Sequence, residues 1–518
     1  MSRYSSWRSR SGILHAWVLT AALVAMAATR SQAQIFVSPD GLDTNPGTVE
    51  QPYLTITKAH SVAAPGDTIF VRGGVYDSLL TTITLSKSGS PSSRYYLVGY
   101  PGERPLLDFS LMPFSSSNRG IRLSGSYWHI VGIDIKGAGD NGMHVSGSNN
   151  IIEFCSFFEN QDTGLQLSNG ASNNQVINCD SYFNADPSNG NADGFAAKLD
   201  VGTGNSFKGC RAWQNSDDGY DGYLRPSNDV STSLESCWIF KNGYLKSGAA
   251  STGNGNGFKL GGSDSANLRH QVVLKNCLAF DNRVKGFDQN NNRGSMTLYN
   301  CTAYRNGANY AIAGPIDSGQ TLTLINCAAL GSYGSLGAFA VQQTNSWLPP
   351  FSVTTADFVS IDTAGVRGPR RSDGSLPDLG FLHLVEGSDL VDAGTIVGIP
   401  YKGTGPDLGA FESEPPTAIA REVNVPSGFR VVSSYPNPFN PSTTIVYDIP
   451  ESGSVMITIV DLLGRVVGSF HNYHAAAGTY RASWHGADQR GTRAASGVYF
   501  AAVEFGGMRS VVKLELLR

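Results

Sequence analysis

Three carboxylates crowd into one short stretch of the sequence. The segment NSDDGYDGY, residues 215–223, carries Asp217, Asp218 and Asp221 among glycines, although only 15% of the 518 residues are charged. Two carboxylates about 5 Å apart repel each other by about 3 kcal/mol at an effective dielectric of roughly 20. Either water screens these acids on a surface loop, or a positive group lies among them.

A recurring glycine followed by a large apolar residue connects this segment to two further polar residues. When DGFAAKL (193–199), DGYDGYL (218–224) and NGFKL (256–260) are aligned on their glycines, Asp193 falls in the same column as Asp218. Asp221 and Lys259 share another column, two residues after the glycine. If each copy is one coil of a stacked structure, the four acids and Lys259 lie on one face.

The acidic cluster has three competing interpretations. The acids could be turn-favouring residues on a solvated loop. They could be a carboxylate pair for inverting glycoside hydrolysis. They could also hold Ca²⁺, a hard cation that takes six to eight oxygen ligands. Zinc is disfavoured, because His270 is the only histidine among these coils and the cysteines are expected to point inward.

Lys259 favours the calcium interpretation. It lies among glycines in GNGNGFKLGG (253–262), next to the acidic face. Beside uncompensated carboxylates its ammonium would stay protonated and could not act as a base. If Ca²⁺ neutralises the acids, the pKa of Lys259 falls from about 10.4 toward neutrality. A lysine base beside Ca²⁺ suits the removal of a weakly acidic proton next to a carboxylate.

A cysteine-centred repeat supplies the elements that must position these residues. Each of the seven cysteines has an apolar residue three positions before it; six have an aromatic residue three positions after it and an asparagine five positions after it. The cysteines are Cys155, Cys179, Cys210, Cys237, Cys277, Cys301 and Cys327. Short apolar segments and Asn/Gly turns at an irregular period are typical of a solenoid. We therefore predict an all-β fold, a parallel β-helix with internal ladders of free cysteines, stacked aromatic rings and hydrogen-bonded asparagines.

The flanking segments predict how this solenoid begins and ends. Residues 53–63 read as a short amphipathic helix that caps its open edge, and GPDLGAFE (405–412) reads as a last strand. The stretch 413–430 reads as a linker, and 431–518 alternates like a small C-terminal β-sandwich. Residues 34–412 would form the catalytic domain.

The N-terminal sequence and the net charge indicate where the protein is located and which partners it lacks. Three arginines, an apolar run over 13–28 and the small residues of SQA (31–33) predict a signal peptide, residues 1–33, and hence a secreted or surface-attached protein. The net charge of −4 argues against a nucleic-acid partner.

The motifs of the acidic face resemble polysaccharide lyase family 9, pectate lyases with a right-handed parallel β-helix. The resemblance rests on NADGFAAK, NSDDGYDGY and GNGFKLGG, and it extends over about 35–412. It implies that Asp193, Asp217, Asp218 and Asp221 bind a catalytic Ca²⁺ and that Lys259 is the Brønsted base. It further implies β-elimination on polygalacturonate or a related acidic polysaccharide. We expect the enzyme to be a monomer. The alternatives are a β-helix glycoside hydrolase and a non-catalytic glycan-binding adhesin.

The last ninety or so residues resemble the C-terminal sorting domain of type IX secretion cargo. The resemblance rests on YPNPFNPSTTI (435–445), DLLGRVV (461–467), ASGVYF (495–500) and the basic ending VVKLELLR (511–518). It implies a secretion machinery as partner. From the residues alone, a carbohydrate-binding module is an equal alternative for a small β-sandwich.

Overall fold

The computed structural model describes residues 32–77, 79–413, 428–474, 478–488 and 492–517. The chain divides into two compact units, Met1–Pro415 and Pro416–Arg518. The signal peptide predicted for 1–33 and the linker predicted for 413–430 lie almost entirely outside the described residues.

The first unit is a parallel β-helix in which each complete coil adds one strand to each of three sheets. Sheet A has twelve strands: Gln34–Val37, Thr68–Val71, Tyr95–Gly99, Trp128–Val131, Ile151–Glu153, Gln175–Ile177, Asn205–Lys208, Val230–Glu235, His270–Lys275, Met296–Tyr299, Leu322–Ile325 and Val341–Gln343. Sheet B has ten: Gly74–Tyr76, Pro105–Asp108, Asp134–Lys136, Ser156–Phe158, Asp180–Tyr182, Arg211–Trp213, Trp238–Phe240, Leu278–Phe280, Thr302–Tyr304 and Ala328–Leu330. Sheet C has ten: Ile83–Leu85, Ile121–Leu123, Met143–Val145, Leu165–Leu167, Phe195–Ala197, Tyr220–Asp221, Phe258–Lys259, Lys285–Asp288, Ala308–Ile312 and Gly334–Leu336. The predicted fold class is confirmed.

Side chains at equivalent positions of successive coils stack into ladders, as the repeat predicts. All seven cysteines are buried and free, and they lie between the strands of sheets A and B. Outside sheet B the rings of Phe158, Tyr182, Trp213, Phe240 and Phe280 stack in sequence, with neighbouring centroids 4.3–5.6 Å apart. The cysteines therefore contribute one small apolar side chain per coil to the interior, and they form no disulfides.

The predicted capping helix is present as Ile56–Val62. Thr55 accepts a hydrogen bond from the backbone N–H of Lys58 and so begins the helix, while Ile56 and Ala59 join the core at the first coil. A 3₁₀ turn, Thr355–Asp357, follows the β-helix. Among the described residues, no helix is long and apolar enough to cross a membrane.

The prediction of a last strand at 405–412 is wrong. These residues form bends and irregular structure. Their amides bind three different parts of the chain: Leu408 N donates to Leu390 O, Gly409 N to Asn326 O, and Ala410 N to Thr302 Oγ1. Residues 351–411 cover the aromatic ladder, where Phe358, Phe381 and Leu408 share a cluster with Trp213. This irregular segment was unpredictable from local pattern, because its partners are far away in sequence.

The second unit is a small antiparallel β-sandwich, as predicted. One sheet contains Arg430–Tyr435, Thr443–Ile449 and Gly478–Trp484; the other contains Gly453–Asp461, Val466–His474, Gly497–Phe505 and Met508–Leu516. Their inner faces share a core that includes Ile445, Tyr447, Ile457, Trp484 and Val503.

Candidate active site

Sheet C places Asp221 and Lys259 side by side. The two residues pair in register on adjacent parallel strands. Because side chains alternate along a strand, the preceding residues Tyr220 and Phe258 enter the core, and Asp221 and Lys259 lie on the outer face. The column predicted from the aligned glycines is therefore present.

The other three acids lie in the turns that lead into sheet C, and each is held by backbone N–H groups of the following coil. Asp193 Oδ1 accepts from Asp218 N at 3.1 Å, and Asp218 Oδ1 accepts from Asn256 N at 2.9 Å. Asp217 Oδ1 accepts from Asn254 N at 2.5 Å. Coil stacking itself thus fixes the positions of these carboxylates.

Glycine is required where these turns approach the neighbouring coil. A Cβ on Gly219 would lie 2.0 Å from Ile239 Cγ2, and one on Gly253 would lie 2.8 Å from Asp217 Oδ1. The repeated glycine of the sequence therefore allows the turns to pack closely enough for the acids to converge.

Three of the four predicted metal ligands converge tightly. One carboxylate oxygen from each of Asp193, Asp218 and Asp221 lies within 4.8 Å of the others, and all three side chains are buried. Asp217 is not part of this set, although it is next to Asp218 in sequence and is itself buried. Lys259 Nζ lies 3.1 Å from Asp218 Oδ2 and 3.4 Å from Asp221 Oδ1.

A second buried lysine, Lys198, belongs to the cluster and was missed by the sequence analysis. Its Nζ lies 2.6 Å from Asp193 Oδ2 and 3.5 Å from Asp221 Oδ2. Ala196 pairs with Asp221 in sheet C, and Lys198 follows Ala196 by two residues. The same alternation that places Asp221 and Lys259 outside could therefore have identified Lys198.

Burial and mutual repulsion dominate the electrostatics of the acids. Burial, with repulsion from neighbouring carboxylates, raises the pKa of Asp193 to about 7 and that of Asp217 to about 9. Burial also raises the pKa of Asp218. The pKa of Asp221 is lowered instead, because Lys259 and Lys198 outweigh the effect of burial on it.

Lys259 is held protonated in this arrangement. Burial acts to lower its pKa, but Asp221 and Asp218 outweigh burial and raise the pKa above its ordinary value. The pKa of Lys198 is raised in the same way, chiefly because Asp193 outweighs the effect of burial. The raised pKa of Lys259 agrees with the expectation that uncompensated acids keep this side chain charged.

The residues present fit a hard divalent cation. Four acids and two lysines leave a formal charge of −2 (four negative, two positive) when all six are ionised. Asp218 Oδ2 is buried and accepts no hydrogen bond from the described residues, although Lys259 Nζ forms an ion pair with it at 3.1 Å. Carboxylate oxygens within 4.8 Å of one another are compatible with metal–oxygen bonds of about 2.3–2.6 Å. These acids could therefore hold a metal ion.

The ring of Tyr223 lies close to Lys259. Lys259 Nζ lies 5.4 Å from the centre of the Tyr223 ring. The Tyr223 hydroxyl donates to Asp264 Oδ1 at 2.5 Å, and Arg225 Nη2 donates to the same oxygen at 2.7 Å. The exposed side chains of Arg225 and Asp264 form a polar border beside the buried cluster.

Comparison with known proteins identifies the family. Residues 35–322 match the family described as Pel9A-like, right-handed β-helix region. The chain belongs to this family. It is 40% identical over 388 residues to pectate lyase L of Dickeya chrysanthemi, a match that covers 73% of this chain and 90% of the relative.

Solved structures agree with this assignment. The crystal structure of pectate lyase Pel9A has a TM-score of 0.69 and 37% identity, and the match covers 74% of this chain and 96% of that one. A structure titled rhamnogalacturonan lyase has a TM-score of 0.60 and 25% identity, with coverage of 68% and 97%. The expected enzyme class, polysaccharide lyase, is confirmed.

Proposed function

We propose that this protein is an exported, calcium-dependent pectate lyase that cleaves polygalacturonate by β-elimination. The observation that carries the proposal is the pairing of Lys259 with Asp221 in a buried cluster of acids. Pectate lyases among the relatives support the substrate class.

Asp193, Asp217, Asp218 and Asp221 would hold the calcium ion. When bound, calcium neutralises the acids and stabilises the negative charge that develops on a substrate carboxylate during proton removal. The backbone donors from Asp218, Asn254 and Asn256 keep the acids in place, so little reorganisation is needed.

Lys259 is the base of the proposed reaction. Once the charge of the acids is compensated, the effect that raises its pKa is removed, while burial still acts to lower it. Its Nζ then accepts the C5 proton of the uronate. The C5–H electron pair forms the C4=C5 double bond, the C4–O bond breaks, and water supplies the proton to the leaving oxygen.

Lys198 is proposed to compensate the charge of Asp193 and Asp221 before the ion binds rather than to react. Its two contacts with these acids, at 2.6 and 3.5 Å, use the same carboxylates that would bind the ion. Because it is also nine-tenths buried, it limits the repulsion among the acids before the ion binds.

We also propose the following organisation of the chain: signal peptide 1–33, catalytic β-helix 34–412, linker 413–430 and sorting domain 431–518, which engages a secretion machinery. The mature enzyme would be a monomer outside the cytoplasm. Deletion of 431–518 should abolish export in a host with type IX secretion and leave lyase activity intact in the purified β-helix. Light scattering of the mature protein measures its molecular mass and so tests whether it is a monomer.

The decisive experiment follows the ultraviolet absorbance of unsaturated uronides on polygalacturonate, with calcium, with a chelator, and after calcium is restored. The proposal expects product formation that the chelator stops and calcium restores. Chain shortening without the absorbance would instead indicate a glycoside hydrolase. Binding without chain shortening would indicate an adhesin.

A further inference from the structure

A cationic cavity lies at the corner between sheets B and C. It has a volume of about 620 Å³ and is lined by residues of consecutive coils and of a remote segment. Its charged lining residues are Lys241, Asp281, Arg283, Arg305 and Arg367. Lys241, Asp281 and Arg305 each directly follow a strand of sheet B and share a positive φ of 53–57°. The corner therefore repeats from coil to coil as a regular part of the β-helix.

The positive charge of this cavity is largely uncompensated. Arg305 forms an ion pair with Asp281, which is the one acid among the described residues that line the cavity. The side chains of Lys241 and Arg367 make no ion pair or hydrogen bond with any described residue. Arg283 donates from Nη2 to Gly253 O, but its Nε is buried without a partner. Three cationic side chains thus face the cavity with no counter-ion from the described chain.

The cavity is separated from the acidic cluster by a single turn. Arg283 binds Gly253 O on one side of this turn, and the next residue, Asn254, donates its N–H to Asp217 on the other. Gln214, which lines the cavity, precedes Asp217 by three residues. A chain bound across the outer face of sheet C would therefore pass close to the cavity.

We propose that Lys241, Arg283 and Arg367 form a subsite for the carboxylate of a uronate next to the one that is cleaved. The inference rests on the proposed function, since it requires an acidic polysaccharide. Guanidinium groups bind carboxylates through paired hydrogen bonds, and an ammonium group adds a point charge. Tyr244 and Gly248, from the 243–254 segment, line the cavity and would limit which sugars fit.

The test is the double variant Lys241→Gln/Arg367→Gln, which leaves Arg283 and its contact with the 253–254 turn intact. The matched control is Lys208→Gln/Lys275→Gln, which removes the same charge from sheet A. At low salt we expect the cavity variant to raise the KM for polygalacturonate about five- to tenfold with kcat within about twofold. The control should leave KM unchanged, and added salt should shrink the difference.

A second measurement separates binding from turnover. Calorimetric titration of trigalacturonate into Lys259→Ala protein with calcium should give weaker binding when the two cavity substitutions are added. Equal KM and equal binding in the cavity and control variants would overturn the subsite. Failure of the proposed function looks different, because the wild-type protein itself would then form no unsaturated product.

Discussion

Two stacks of buried polar side chains lie between sheets B and C, and they behave in opposite ways. The asparagine stack satisfies itself: Asn184 Nδ2 donates to Asn215 Oδ1, Asn215 Nδ2 to Asn242 Oδ1, and Asn242 Nδ2 to Asn282 Oδ1, at 2.8–3.0 Å. The acidic stack runs from Asp193 to Asp217 and Asp218 of the next coil, and its carboxylate oxygens accept hydrogen bonds from backbone N–H groups and contact two lysines.

The difference comes from the donors that each side chain carries. An amide has both a donor and an acceptor, so identical amides in successive coils hydrogen-bond to one another. An ionised carboxylate only accepts, so stacked carboxylates repel and require cations. The first stack stabilises the fold without help from outside, whereas the second leaves charge for a ligand.

The largest expected effect comes from Lys259→Ala in the acidic stack. Loss of the base should reduce kcat by about a thousandfold or more, within the range of general base catalysis. Calcium binding should persist, because the acids remain. Initial rates on polygalacturonate and calcium calorimetry check both points, with Lys275→Ala as control. Near-normal turnover by the variant would remove Lys259 from the mechanism.

Asn242→Asp introduces a carboxylate into the asparagine stack. Asn242 is fully buried and donates to Asn282 Oδ1, Ala212 O and Phe240 O, so the substitution removes these donors and buries an unpaired charge. We expect the free energy of unfolding to fall by about 3–5 kcal/mol. Urea denaturation measures it, and the exposed Asn267→Asp is the control. Equal stability of the two variants would contradict the distinction between the stacks.

Asp218→Asn makes the opposite substitution, since it places an amide in the acidic stack. The pKa of Asp218 is raised mainly by burial, so its ionised form opposes folding at neutral pH, and a neutral amide should leave the metal-free protein at least as stable. Calcium affinity should fall by at least about 100-fold, the upper end for a lost supporting partner. Melting curves with and without calcium test this, with the exposed Asp264→Asn as control. An unchanged calcium-induced rise in Tm would exclude Asp218 as a ligand.

Lys198→Met gives the smallest expected effect. Removal of an ammonium group that contacts Asp193 and Asp221 should tighten calcium binding by roughly tenfold, the size of a water-screened repulsion between a monovalent and a divalent cation. Calorimetry on Lys198→Met and on the exposed control Lys208→Met measures it. Weaker calcium binding in Lys198→Met alone would mean that this lysine holds the acids in their binding geometry.

Much of the site was predictable because coil register follows from a visible repeat. The Asp221–Lys259 pair follows from two aligned glycines, and stacking then requires the two side chains to be neighbours. Lys198 was missed because its motif carries alanine where the next coil carries Asp221. No sequence pattern indicated a role for Arg367, because its place beside Lys241 depends on a segment that follows the last coil and packs back against earlier ones.

The sequence by itself determined the β-helix, its free cysteine ladder, the asparagine stack and the face that carries the acids, since each repeats at one position per coil. Only the tertiary structure decided which acids converge, that Lys198 lies among them, and that a cationic cavity adjoins them. These features depend on distances of a few ångströms between turns of different length, and on a return segment without periodicity. A repeat specifies the column of a residue, and packing decides what that residue touches.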